Sequence, residues 1–276
     1  MKRSHQRLWA QATALAQRLR SQLHHVLDTE IDEQGERRDA QVAEASAMAD
    51  AASELRGGYA KVAQLRGYLQ ANQPLDPEAQ RVLGRVWDQL PADDPAAIAE
   101  VIRSELGGEP DQVFAQFDPQ PLAAASLGQV HAARTKEGQE VALKVQYPGV
   151  AAALRDDLSA RRVVAELVGA DLGAAVPAAS IDALCDRLLA ELDYRAEAGW
   201  LRRFRLAFGS DPTVVIPQVY PTYSGSRVLC MERLVGRSLP QVAASSDVRE
   251  RSAVAATLFR FAMAAPLRHR LINLDP

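Results

Sequence analysis

PLAAASLGQVHAARTKEGQEVALKVQYPGV, residues 121–150, is the stretch whose reading decides the fold. Two runs rich in Val, Leu and Ala, 126–134 and 140–146, flank Glu137-Gly138, a turn signal, so the segment predicts a β-hairpin. The small residues Ala123, Ala124, Ala125 and Ser126 precede the first strand as a loop. In the second strand one cation, Lys144, interrupts the apolar run Val141-Ala142-Leu143 and is followed by Val145. A pliant loop that can cover phosphates, joined to a strand lysine that can reach them, is the layout of a nucleotide-binding hairpin. An ordinary hairpin with a solvated edge lysine has the same pattern, so other stretches must decide between the two.

Composition sets the outer limits. With 276 residues, 47% hydrophobic and 24% charged, the chain can bury a large core as one large or two small domains. A net charge of −3 provides no global basic field and argues against nucleic acid as a partner. Cys185 and Cys230 lie in apolar contexts without metal-ligand spacing, which predicts buried free thiols in a reducing cytoplasm. No apolar run approaches the roughly 20 residues of a membrane span. Arg18 and Arg20 interrupt the segment in which a signal peptide would need its apolar core.

Working outward toward the N-terminus, Leu8, Leu15, Leu19, Leu23, Val26 and Leu27 recur at helical spacing and predict a helix over 7–27. Lys2, Arg3, Arg7, Arg18 and Arg20 all precede the first acid, Asp28. Such a basic amphipathic helix, carrying Trp9, suits either an anionic membrane surface or packing on its own domain or a partner helix. A charged linker over 29–38 leads to a second helix over 39–70, where Lys61 and Gln64, three apart, share a face. Prolines 74, 77, 91 and 95 then cut the chain into short helical pieces. Residues 95–106 read as a helix with Ile98, Val101, Ile102 and Leu106 inward, closed by Gly107-Gly108.

Toward the C-terminus, Leu154, Leu158, Val163, Val164 and Leu167 predict a helix over 151–169, broken at 173–177. One long helix is expected over 181–208, with Glu191, Asp193 and Glu197 in its middle. The apolar runs 214–217 and 227–232, separated by a turn-rich link, predict an antiparallel pair. Helices follow over 239–265, with Val254, Leu258, Phe261 and Ala262 on one face, and the sequence closes on Asn273-Leu274-Asp275-Pro276.

These stretches, in this order, resemble the UbiB/AarF (ADCK-type) family of atypical protein-kinase-like proteins, in which an alanine-rich loop stands where ordinary kinases carry glycines. The resemblance covers about 55–276. It implies an α+β fold: a protein-kinase-like N-lobe, a small antiparallel sheet with helix C, preceded by a helical extension, with the C-lobe largely missing. The implied segments are an amphipathic helix and linker (1–38), the helical extension (39–118), the N-lobe (119–236) and the start of a C-lobe (237–276). Lys61-Val62-Ala63-Gln64 resembles the family's KxGQ signature, with Ala63 in place of the glycine. Glu191 and Asp193 resemble its ExD motif, and Glu197 its helix-C glutamate, the implied partner of Lys144.

By the same resemblance Ala123 to Ser126 and Lys144 would hold nucleotide, Met231 to Leu234 would form the hinge that receives the adenine, with Glu232 and Leu234 as its binding residues, and Asp275 would open the catalytic loop. ATP and Mg²⁺ are the implied cofactors, although the asparagine and the Asp-Phe-Gly aspartate that would ligate metal have no counterpart up to Pro276. That predicts an incomplete and inactive enzyme related to ubiquinone or other isoprenoid lipid metabolism. Its implied partners are nucleotide, a membrane surface or isoprenoid lipid at the inner face of the membrane, and a protein covering the missing C-lobe. The alternative is a catalytically silent module that acts through its helices on a membrane or partner. Exposed apolar surface is expected over 267–274.

Overall fold

The computed structural model describes residues 38, 39, 42, 43, 46, 78, 93–125, 127–159 and 178–272. The expectations for the 7–27 helix and for Lys61, Gln64, Ser126 and Asp275 lie outside the described residues. The chain divides into two compact units, one holding Ala124–Leu127 and Gly149–Asp186 with the residues up to Pro91, the other Ala92–Ala123, Gly128–Pro148 and Arg187–Pro276.

In the second unit, α1 (Pro95–Leu106) begins where the Asp94 carboxylate accepts the Ala96 N–H at 3.0 Å, with Pro95 in the first turn, where an N–H would have no helical partner. It ends at Gly107, whose φ of +80° suits a residue without a β-carbon. A short helix α2 (Pro110–Val113) leads into a sheet of four strands in the order β1 (Gln116–Ala125), β2 (Gly128–Arg134), β3 (Glu140–Gln146), β4 (Val228–Glu232). The β2–β3 turn places Gly138 at φ +90°. The pairings are antiparallel, setting Val130 opposite Lys144 and Lys144 opposite Leu229.

Ala123, Ala124 and Ala125 are not a loop: they close β1, an extended strand that includes Pro119 and Pro121. Proline has no N–H to give a ladder, and β1, at the edge of the sheet, needs one only on its inner side. The expected pair formed by 214–217 and 227–232 is also corrected. β4 pairs with β3, and its other side meets the preceding segment through an isolated bridge from Val219 to Met231 and not through a strand. Pro217 and Pro221 close together leave room for little more.

The long helix expected over 181–208 is two helices, α4 (Ala178–Ala190) and α5 (Tyr194–Phe208). Tertiary contacts take the backbone groups a continuous helix would use: the Leu192 carbonyl accepts from Gln146 Nε2 at 2.6 Å, and the Tyr194 N–H donates to the Ser226 carbonyl. The helices expected over 239–265 are α6 (Leu239–Ala243) and α7 (Val248–His269), the latter capped by Asp247. On α7, Phe261 packs inward with Ala264 and Ala265, whereas Leu258 and Ala262 face solvent, so the inward stripe differs from the expected one. In the first unit, α3 (Val150–Ser159) starts at Gly149 and buries Leu154 and Leu158.

The sheet is covered on both faces. Val141, Leu143 and Val145 of β3, with Val228 and Cys230 of β4, pack against Ile98, Val101 and Ile102 of α1 and against Phe114. Leu229 on the opposite face packs with Tyr194 and Ala198 of α5 and with Val219. Strand alternation therefore directs every second residue of β3 toward α5, and Lys144 is one of them.

Candidate functional site

Lys144 and Glu197, 53 residues apart in sequence, meet: the ammonium donates to both carboxylate oxygens, at 2.9 and 2.7 Å. The strand's alternation aims the lysine at α5, and the position of Glu197 in that helix's first turn brings the carboxylate to it. The lysine side chain is 21% exposed and the glutamate 38%, so the pair is partly solvated and contributes about 1 kcal/mol or less to the fold.

Tyr194 completes the surroundings of Lys144. The ammonium nitrogen lies 4.7 Å from the centroid of the Tyr194 ring, which is fully buried. Burial, with the nearby Glu197 carboxylate adding to it, pushes the Tyr194 phenol far above the usual tyrosine range. Gly128 is required here because a β-carbon on it would lie 2.2 Å from the Val145 carbonyl oxygen and 2.9 Å from the Tyr194 hydroxyl.

Of the ExD pair, Asp193 is exposed and caps α5, its carboxylate accepting the Arg195 N–H at 3.0 Å. Glu191 is half-buried in the turn before it. Glu232 closes β4 with its N–H on the Gln218 carbonyl and its carboxylate on the Gln218 N–H at 3.1 Å. Leu234 is exposed just beyond. Ala123 is exposed and Ala124 and Ala125 are half-buried at the end of β1. Among the described residues no group of three or more His, Cys, Asp or Glu side chains could hold a metal ion, so no chemical step is assigned to Mg²⁺.

Sequence reasoning missed two networks that fix this geometry. Glu105 at the end of α1 accepts from the backbone N–H groups of Ser226 and Arg227, the Ser226 hydroxyl and Arg227 Nε. Burial raises its pKa, but the hydrogen bonds from Arg227 and Ser226 outweigh burial and hold the carboxyl below its ordinary range. The Ser226 carbonyl in turn accepts the first N–H of α5, so the latch on α1 also seats the helix that carries Glu197.

The second network runs through buried Gln129 and His131. His131 Nδ1 faces the Asp118 carbonyl at 2.9 Å and so carries the proton. Its Nε2 therefore accepts from Gln129 Nε2, and Gln129 Oε1 accepts the Asp93 N–H. Burial keeps the imidazole pKa below its ordinary value, against the pull of Asp118. Among the described residues Asp118 is the charged group acting on the ring, against which Phe117 also stacks.

A protein-family model described as the ABC1 atypical kinase-like domain matches residues 85–276. The chain belongs to this family. The mitochondrial atypical kinase COQ8B of Rattus norvegicus is 32% identical over 80% of this chain and 42% of its own length. The mitochondrial atypical kinase COQ8 of Saccharomyces cerevisiae is 29% identical over 81% of this chain and 44% of its own. The probable protein kinase UbiB of Azotobacter vinelandii is 35% identical over 58% and 30%.

Among solved structures, the complex of Rv3197 with erythromycin from Mycobacterium tuberculosis superposes with a TM-score of 0.56, at 31% identity, over 78% of this chain and 55% of that one. The α+β arrangement, a small antiparallel sheet with a helix carrying the lysine's glutamate, is thus the N-lobe of a UbiB/AarF-type atypical kinase. The chain spans less than half the length of these curated relatives. Among the described residues no helix is long and apolar enough to cross a membrane.

Proposed function

We propose that this chain binds ATP, with Lys144 on the phosphates and Glu197 holding that lysine in place, and that it serves ATP-dependent support of ubiquinone or other isoprenoid lipid metabolism. The observation that carries the nucleotide reading is the Lys144–Glu197 pair, bridging β3 and α5 through both carboxylate oxygens. In phosphoryl transfer the protein contributes chiefly position and charge, and a strand lysine anchored by a helix glutamate supplies both. Glu191 and Asp193, in the turn that starts α5, stand on the same segment as Glu197 and are assigned to the same site. Ala123 to Ser126 are assigned to the phosphates and Glu232 to Leu234 to the adenine. Lys61, Gln64 and Asp275 are assigned catalytic roles from the family motifs alone. ATP is taken as its Mg²⁺ complex, and contact with a membrane surface or isoprenoid lipid belongs to the same proposal.

A thermal-shift titration with ATP and Mg²⁺ tests the site. A ligand that binds only the folded state at 100 times its Kd stabilises by about 2.7 kcal/mol. At roughly 2–4 °C per kcal/mol, wild-type protein is expected to melt several degrees higher. Lys144→Ala is expected to lose most of that shift while keeping its melting point without ATP. No shift in the wild type, or the same shift in the variant, would sink the nucleotide reading and leave a silent binding module.

A further inference from the structure

Tyr194 opens α5 and Glu197 follows three residues later, so the two project from one side of the helix. Among the described residues, these two supply the polar and π contacts of the Lys144 ammonium: two carboxylate oxygens at 2.9 and 2.7 Å and an aromatic face at 4.7 Å. The ring is fully buried, in a cluster with Ala198, Val219 and Leu229. Its hydroxyl is buried with no hydrogen-bond partner among the described residues. Leaving a buried hydroxyl unpaired is unfavourable, and nothing in the packing alone calls for it. A leucine would fill much of the same volume without that cost, but without the negative face of a π system. A cation gains most from such a face when it is partly withdrawn from water, as Lys144 is.

We propose that Tyr194 is a positioning residue for Lys144: its ring and the Glu197 carboxylate together hold the ammonium group, and its hydroxyl takes no part. This rests on the nucleotide reading only for its consequence, since the hold on the lysine exists without ligand. The ring restricts where the ammonium can sit while leaving its N–H groups directed to the carboxylate and to an arriving phosphate. A lysine with Glu197 alone could swing about the carboxylate, and an anion would have to re-order it on binding.

The test uses two readouts on wild type, Tyr194→Phe, Tyr194→Leu and a control, Leu201→Ala, which alters the same apolar cluster. The first is acylation of Lys144 by an amine-directed ester without nucleotide, normalised to exposed Lys136 and mapped by mass spectrometry. Tyr194→Leu is expected to speed Lys144 modification several-fold, with Tyr194→Phe and Leu201→Ala near wild type. The second is ATP affinity by calorimetry: Tyr194→Leu is expected to weaken it by about tenfold, and Tyr194→Phe to retain it. If Tyr194→Phe behaves like Tyr194→Leu, the hydroxyl and not the ring is at work and the proposal is wrong. If Leu201→Ala matches Tyr194→Leu in both readouts, the tyrosine is merely part of the core, and the proposal again fails. Wild-type protein that binds no ATP but shows the expected acylation pattern would overturn the nucleotide reading and keep Tyr194's role.

Discussion

On the side of β3 that meets α1, Val141, Leu143 and Val145 are fully buried and make only apolar contacts with Ile98, Val101 and Ile102. On the side that meets α5, the alternate residues are Ala142, Lys144 and Gln146, and the latter two spend their polar ends on Glu197 and the Leu192 carbonyl. One strand thus carries a dry face and a polar face. Stability is concentrated on the first, whereas the second holds a charge pair whose removal costs the fold little. The two sides communicate through Glu105, which belongs to α1 yet fixes the Ser226 backbone that caps α5.

The largest effect should come from the dry face. Leu143→Ala, at a fully buried position, is expected to destabilise by about 2–5 kcal/mol in urea melts. ATP affinity per folded molecule should stay near wild type, and a large affinity loss there would erase the distinction between the faces. Next comes the latch. Glu105→Gln keeps the volume but gives up the charge-assisted bonds to Arg227, for an expected loss of about 2 kcal/mol. Because the folded carboxyl sits low, its contribution is present above the unfolded value of about 4.3 and is lost as pH falls through the folded one. The variant's acid melt should lack that portion, and identical acid limbs in the two proteins would contradict the assignment.

The smallest effect concerns His131. Its imidazole is neutral in the fold, with Nε2 as acceptor, so protonation sets donor against donor at Gln129. Its folded pKa lies below the unfolded value of 6.5, so this stability is intact above 6.5 and declines as pH drops toward the folded value. The slope from one proton cannot exceed about 1.4 kcal/mol per pH unit. His131→Leu, though less stable at pH 7.5, should flatten the wild-type decline just below pH 6.5. Parallel curves for the two would show that another group titrates there.

Much of this was legible in advance. The Lys144 strand stood out because an isolated cation in an apolar run has a physical reason to be there, and the Pro95 and Gly107 boundaries of α1 followed from helix-end chemistry. What could not be read was anything set by distant partners. Asp193 is a helix-start residue type, but nothing local announces that Gln146 will take the Leu192 carbonyl and Ser226 the Tyr194 N–H, splitting one helix into two. Ala123 to Ala125 looked like loop because small residues are poor strand formers, yet they close the extended strand β1. Tyr194 was hidden inside a motif valued for its acids, and nothing in the sequence singles out Glu105 on its amphipathic helix. Of the apolar surface expected over 267–274, Leu267 and Ile272 are exposed while Leu271 is buried against Phe208 and Ala265.

The central claim is that phosphates arrive at Lys144. The sequence contains four lysines, Lys2, Lys61, Lys136 and Lys144, and an acyl-phosphate derivative of ATP transfers its acyl group to an amine lying beside the bound phosphates. Mass-spectrometric mapping is expected to find Lys144 acylated and protected by excess free ATP, with Lys136 on the β2–β3 turn modified only at background level. Acylation of Lys136 equal to that of Lys144, or labelling of Lys144 that free ATP leaves unchanged, would contradict the account.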